Sequence, residues 1–176
     1  EFTTRSLVGI VGPSGVGKST FIKLMNRLAD PTQGTISYGL TPLQSIELLS
    51  LRRHVVIISQ EPFFLSATVR QNLEFGLNSQ PDEKLWKALE DVNAKEFVQA
   101  LPQGLDTLIG ESGIQLSGGQ SKRLSLARGF LRRNQASVFV FDEPTSGLDP
   151  VSANHVMHSL KTLSQEAQLV MFSTHR

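Results

Sequence analysis

Nine consecutive residues, Gly12-Pro13-Ser14-Gly15-Val16-Gly17-Lys18-Ser19-Thr20, open with the eight-position pattern G-x-x-x-x-G-K-[ST] and constrain this chain more than any other stretch. Three glycines let the backbone curl until successive N–H groups point inward, and a helix opening near Gly17 adds the positive end of its dipole. The natural guest is a polyphosphate: Lys18 reaches its terminal phosphates as a point charge, and the Ser19 hydroxyl suits the Mg²⁺ that accompanies a nucleotide. The flanks agree. Leu7 to Val11 is an apolar, partly β-branched run, and Phe21, Ile22, Leu24, Met25 and Leu28 follow with helical spacing.

Downstream, strand and helix patterns alternate. A short strand is expected at Thr35–Tyr38, a helix at Ile46–Arg53 and a buried strand at His54–Ser59 that ends on Gln60. From Thr68 to Leu101 the pattern is helical in three pieces, the second capped by Asp82 and reaching about Val92, with Leu85, Trp86, Leu89 and Phe97 as its core. A helix over Gly118–Arg133 leads to the strand Ser137–Phe141, which ends on Asp142-Glu143-Pro144. Asp149 as N-cap and Pro150 at the first helical position open a helix to about Gln165, and a last strand, Leu169–Phe172, ends on Ser173-Thr174-His175. The fold class is therefore α/β: a mostly parallel central sheet flanked by helices, plus a helical insert. Residues 1–60 and 134–176 form the core part and 61–133 the helical part.

In an open parallel sheet the carboxyl ends of the strands share one edge, where ligands bind. The phosphate loop, Gln60, Asp142-Glu143 and His175 all fall there. Asp142 has the place of a carboxylate that holds Mg²⁺ opposite Ser19. Glu143, pointing to the other face by strand alternation, can orient or deprotonate a water in line with the terminal phosphate. The two glycines of Leu116-Ser117-Gly118-Gly119-Gln120 open a helix whose N–H groups offer a second anion nest.

Composition excludes other classes. The chain of 176 residues has a net charge of +1, which gives no global field for nucleic acid, and no cysteine, which removes disulfides and thiolate metal sites. Arg52 and Arg53, Lys122 and Arg123, and Arg128, Arg132 and Arg133 read as solvated helix faces. No apolar run approaches the roughly 18 residues of a membrane span.

Taken in order, Gly12 to Thr20, Gln60, Leu116 to Gln120, Asp142-Glu143, Ser146-Gly147-Leu148-Asp149 and His175 resemble the ATP-binding cassette of the ABC transporters, a P-loop NTPase family. The resemblance implies an ATPase using ATP and Mg²⁺. Gly12, Pro13, Ser14, Gly15, Val16, Gly17, Lys18, Ser19 and Thr20 would bind the phosphates. Ser19, Asp142 and Gln60 would serve the metal, with Gln60 also catalytic through the attacking water and coupling the site to the membrane domain; Glu143 would be the catalytic carboxylate, and His175, also catalytic, would contact the γ-phosphate. Cassettes of this family pair head to tail, so Ser117, Gly118, Gly119 and Gln120 would close over ATP held by a second cassette, identical or not, with Asp149 at the dimer interface. Phe64 to Leu73 and Gln103 to Gly113 resemble the exporter branch. That implies a transmembrane domain fused N-terminally, a place on the cytoplasmic face of a membrane, and no nucleic-acid partner.

Two departures from the family pattern bear on activity. Eleven residues precede Gly12, so the aromatic residue that stacks on adenine in the family has no counterpart, and the strands and helices that follow the histidine are also missing. Both ends read as cut from a longer chain, and the 176-residue piece alone is expected to bind ATP weakly and turn over slowly. The alternatives are a soluble ABC-type ATPase acting on nucleic acid or ribosomes, and a non-hydrolysing, nucleotide-sensing cassette. Against the first stand the compact helical insert and the absence of a long heptad pattern; against the second stand the intact Glu143 and His175.

Overall fold

The computed structural model describes Phe2 and residues 4–175; Glu1 and Arg176, on which the expectation of cut ends partly rests, lie outside the described residues. Strand β1 (Ser6–Val11) enters the phosphate loop, and helix α1 (Lys18–Met25) leaves it. A short hairpin, β2 (Ser37–Tyr38) and β3 (Thr41–Pro42), precedes α2 (Leu48–His54) and β4 (Val55–Ile58). The helical part holds α3 (Val69–Leu73), α4 (Asp82–Glu90) and α5 (Lys95–Gln99). A two-stranded ribbon there pairs β5 (Ala67–Thr68) with β6 (Leu108–Ile109). Helix α6 (Gly118–Phe130), β7 (Val138–Phe141), α7 (Pro150–Glu166) and β8 (Leu169–Thr174) complete the chain.

The main sheet has the order β1-β8-β7-β4, and every neighbouring pair is parallel. Strand β7 shows why both faces are covered. Its run Val138-Phe139-Val140-Phe141 is buried throughout, and successive side chains leave a strand on opposite faces. Val138 and Val140 join Ile22, Met25 and Leu51 on the side of α1 and α2. Phe139 and Phe141 join Leu124, Phe130, Val156 and Leu160 on the side of α6 and α7, in a cluster continuous with Leu73, Leu85 and Leu89 of the helical insert. A strand buried on both faces needs an unbroken apolar run, which is what this sequence supplies.

Local departures from the sequence expectations have visible causes. Helix α1 stops at Met25 because Arg27 adopts a left-handed backbone (φ 48°), so Leu28 is exposed rather than part of the apolar stripe. Asp82 is the first residue of α4 and Pro81 its N-cap; the carboxylate pairs with Arg70 instead of capping. Helix α2 begins after Glu47, whose side chain accepts from the N–H groups of Leu49 and Ser50. Strand β8 runs on through Ser173 and Thr174. Trp86 and Phe97 are partly buried against the insert core, as expected, with Leu85 and Leu89 fully buried. Among the described residues no helix is long and apolar enough to cross a membrane.

Candidate nucleotide site

The loop between β1 and α1 turns on Gly15 (φ 81°) and Gly17 (φ 107°), both left-handed, a conformation that side chains with a Cβ resist. Lys18 reaches back across the loop, its Nζ donating to the carbonyls of Gly12 (2.6 Å) and Pro13 (3.0 Å). The ammonium is thereby tied to the backbone of the loop itself. One residue on, Ser19 Oγ donates to Asp142 Oδ2 at 2.9 Å, joining α1 to the tip of β7.

Asp142 is 8% exposed. Its other oxygen, Oδ1, accepts a short hydrogen bond from Ser173 Oγ on β8, and Ser173 Oγ in turn accepts from the N–H of Glu143 at 2.9 Å. A hydroxyl and a carboxylate oxygen facing each other form a hard-oxygen donor set that fits Mg²⁺, an ion that retains waters and takes few protein ligands. Among the described residues there is no group of three or more His, Cys, Asp or Glu that could hold a metal ion.

Glu143 is engaged at both oxygens. Gln60 Nε2 donates to Oε2 at 3.2 Å, and His175 Nδ1 lies 3.4 Å from Oε1. Strand alternation is not what separates Glu143 from Asp142, however. The strand ends at Phe141, and Glu143 sits in the left-handed region with φ 47°, a conformation costing about 1–3 kcal/mol in a residue other than glycine. Glu143 and His175 border a cleft of about 150 Å³ lined also by Thr145, Ser146, Gly147, Leu148 and Thr174. The four strand ends named from the sequence therefore meet as expected.

Ser117, Gly118, Gly119 and Gln120 stand at the start of α6. Ser117 caps α6 by accepting from Gln120 N–H at 3.2 Å, while Gln120 Oε1 accepts from Ser117 N–H at 2.9 Å, a reciprocal capping box. Gly118 is exposed. A Cβ on Gly119 would stand 3.6 Å from the Gly147 carbonyl, so this helix start abuts the turn that leads into α7. Asp149 caps α7 by accepting from Ser152 N–H at 2.9 Å; the hydrogen bonds from Ser152 hold its carboxyl below the usual aspartate range.

The solvated-face reading of the basic residues is overturned for five of them. Lys122 is 4% exposed, with Nζ donating to the carbonyls of Gln60 (3.0 Å) and Asp142 (3.2 Å). Burial pulls its ammonium below the usual lysine range, opposed by the charges of Asp142 and Glu143. Arg123 donates to Asn93 O and Ser152 Oγ, Arg128 to the carbonyls of Asn72 and Phe63, and Arg132 to Phe75 O, while Arg133 pairs with Asp91. Lys122 and Arg123 reach residues of the core part, whereas Arg128, Arg132 and Arg133 bond within residues 61–133; α6 itself has no fully solvated side. Ser173 was also missed; its signal was a hydroxyl placed where an apolar strand run stops.

The ABC transporter family model matches residues 1–146. Curated relatives include the lactococcin-G-processing and transport ATP-binding protein LagD of Lactococcus lactis, 39% identical over 99% of this chain and 25% of that protein. Another is the ATP-dependent lipid A-core flippase of Alcanivorax borkumensis, 41% identical over 90% of this chain and 27% of the relative. The chain thus spans about a quarter of the length of such relatives. Among solved structures, a bacterial Atm1-family ABC exporter with ATP bound superposes with a TM-score of 0.90 at 30% identity, over 98% of this chain and 30% of that one. With a family model across most of its length and the strand-end residues brought together in space, the chain belongs to the ABC transporter family.

Proposed function

We propose that this chain is the ATP-hydrolysing cassette of a membrane exporter, working as a pair of cassettes on the cytoplasmic face of the membrane beneath a transmembrane domain in the same polypeptide. The observation that carries the reading is the contact between Ser19 and Asp142, which fuses the phosphate loop to a carboxylate tip, with Glu143 held beside it by Gln60 and His175. Relatives whose names describe lactococcin-G transport and lipid A-core flipping support the exporter branch. In this reading residues 1–60 and 134–176 act as the catalytic body, and 61–133 as the part that answers to the membrane domain.

The backbone N–H groups of Gly12 to Thr20 and the Lys18 ammonium would bind the ATP phosphates. Ser19, Asp142 and Gln60 would hold Mg²⁺, which supplies charge neutralisation at the β- and γ-phosphates. Glu143 accepts a proton from a water as its oxygen forms a bond to the γ-phosphorus; the bond from that phosphorus to the bridging oxygen breaks, and ADP leaves with the electron pair. His175, beside Glu143, would contact the γ-phosphate. Ser117, Gly118, Gly119 and Gln120 would face the nucleotide of the other cassette, stabilising charge on the transferred group with a helix end.

The test is Glu143→Gln in the full-length protein. Phosphate release should fall by at least about a hundredfold while ATP drives stable pairing of cassettes, seen as a dimer by size-exclusion chromatography with light scattering. A variant that ignores ATP or hydrolyses it at the wild-type rate would contradict the assignment.

A further inference from the structure

The peptide group that joins Asp142 to Glu143 is gripped at both edges. Its N–H, belonging to Glu143, donates to Ser173 Oγ at 2.9 Å. Its C=O, belonging to Asp142, accepts from Lys122 Nζ at 3.2 Å. A peptide group is a rigid plane, so hydrogen bonds at opposite edges fix its rotation, and the φ of Glu143 is measured from that plane. Glu143 stands at φ 47°, a conformation it keeps only because its surroundings impose it.

Lys122 acts on a second link as well. Its other hydrogen bond, at 3.0 Å, goes to the carbonyl of Gln60, the residue whose side chain donates to Glu143 Oε2. One buried ammonium therefore sets the backbone of the carboxylate and the backbone of the group that touches it. An ammonium carries three donors and no acceptor, and the two partners found here are both carbonyls. Lys122 stands two residues after the Ser117–Gln120 capping box on α6, so a shift of that helix reaches Glu143 through this side chain.

We propose that Lys122 is a positioning residue for Glu143: its ammonium, by gripping the carbonyls of Asp142 and Gln60, holds the carboxylate in the left-handed pose from which it faces the attacking water. The proposal rests on Glu143 serving as the base. The competing account makes Lys122 a counter-charge for the buried acids. The two differ in what replaces the lysine, since Lys122→Gln discards the charge but keeps two N–H donors on a side chain one bond shorter, whereas Lys122→Met discards both.

Steady-state and single-turnover ATP hydrolysis should be measured in the full-length protein for Lys122→Met, Lys122→Gln, Glu143→Gln and the Lys122→Met/Glu143→Gln double variant, with trinitrophenyl-ATP binding measured in parallel. Misplacing a catalytic group by about 1 Å can cost around a hundredfold. Lys122→Met should accordingly lower kcat by about 10- to 100-fold, with KM and nucleotide binding within about threefold of wild type. Lys122→Gln should recover at least about a third of the wild-type kcat, and the double variant should be no slower than Glu143→Gln alone. Wild-type kcat in Lys122→Met, or no recovery in Lys122→Gln, overturns the proposal and leaves Glu143 as the base. Loss of nucleotide binding together with kcat, or a further loss in the double variant, shows a structural role and also overturns it. An inactive wild type, or a Glu143→Gln variant as fast as wild type, removes the reading of Glu143 and this proposal with it.

Discussion

Ser19 Oγ and Asp142 Oδ2 meet at 2.9 Å across 123 positions of sequence, so the start of α1 and the tip of β7 share one hydrogen bond. Ser19→Ala removes the hydroxyl from this pair without touching the loop's N–H groups. Binding of Mg²⁺–ATP should weaken by about tenfold, the loss of roughly one hydrogen bond or ligand to a charged group. Binding of ATP in EDTA should change by less than about twofold, because the anion cradle is intact. Titration calorimetry with and without Mg²⁺ reads the difference, and equal losses in both conditions would deny Ser19 a metal role.

Glu143 holds a left-handed backbone that glycine adopts freely. Glu143→Gly should raise stability by about 1 kcal/mol, the relieved strain outweighing the contacts to Gln60 and His175. Hydrolysis should be lost at the same time. Urea denaturation with unchanged m-value measures the gain; a lower midpoint would mean that the pose is not strained.

Tyr38 donates to the Met25 carbonyl at 3.1 Å, and burial pushes its phenol from 10.0 up to about 12. The folded state thus prefers the protonated form. Its contribution is complete below pH 10 and is lost as pH rises toward 12, by about 2–3 kcal/mol in all. Tyr38→Phe has no proton to lose, so the stability difference between wild type and variant should shift against wild type between pH 9 and pH 11.5. Parallel urea curves at the two pH values would sink the assignment.

Asp149 is both a helix cap and the expected dimer-interface residue. Asp149→Ala should lower Tm by about 2–4 °C through loss of the cap on α7, whereas Asp149→Asn, an equally good capping residue, should leave Tm within about 1 °C. If Asp149→Asn then weakens ATP-driven pairing in the Glu143→Gln background at unchanged Tm, the carboxylate serves the interface beyond its own helix.

What could be read from the sequence follows from which residues speak locally. Gly12 to Thr20 do, because a phosphate loop demands fixed residue types at fixed spacing. Asp142 and His175 do as well, since each follows an apolar run whose end a parallel sheet brings to one edge. The left-handed turn at Arg27, which cuts α1 short of Leu28, carries no glycine or proline to announce it. Lys122 and Arg123 were opaque for a different reason: a basic pair on a helix is ordinarily solvated, and only the packing of α6 between sheet and insert leaves both with backbone carbonyls as partners. The pose of Glu143 is likewise set by residues from α6 and β8, at distances in sequence that no local pattern reports.

The reciprocal bonds between Ser117 and Gln120 have a chemical consequence for whatever approaches α6 from outside. A serine hydroxyl carries one proton and two lone pairs, and here a lone pair is turned inward onto the Gln120 N–H. Its proton and its second lone pair are not used by that bond. The bond that starts the helix therefore halves what Ser117 can accept while leaving its donor unspent, which tilts the side chain toward an oxyanion without closing it to a cation.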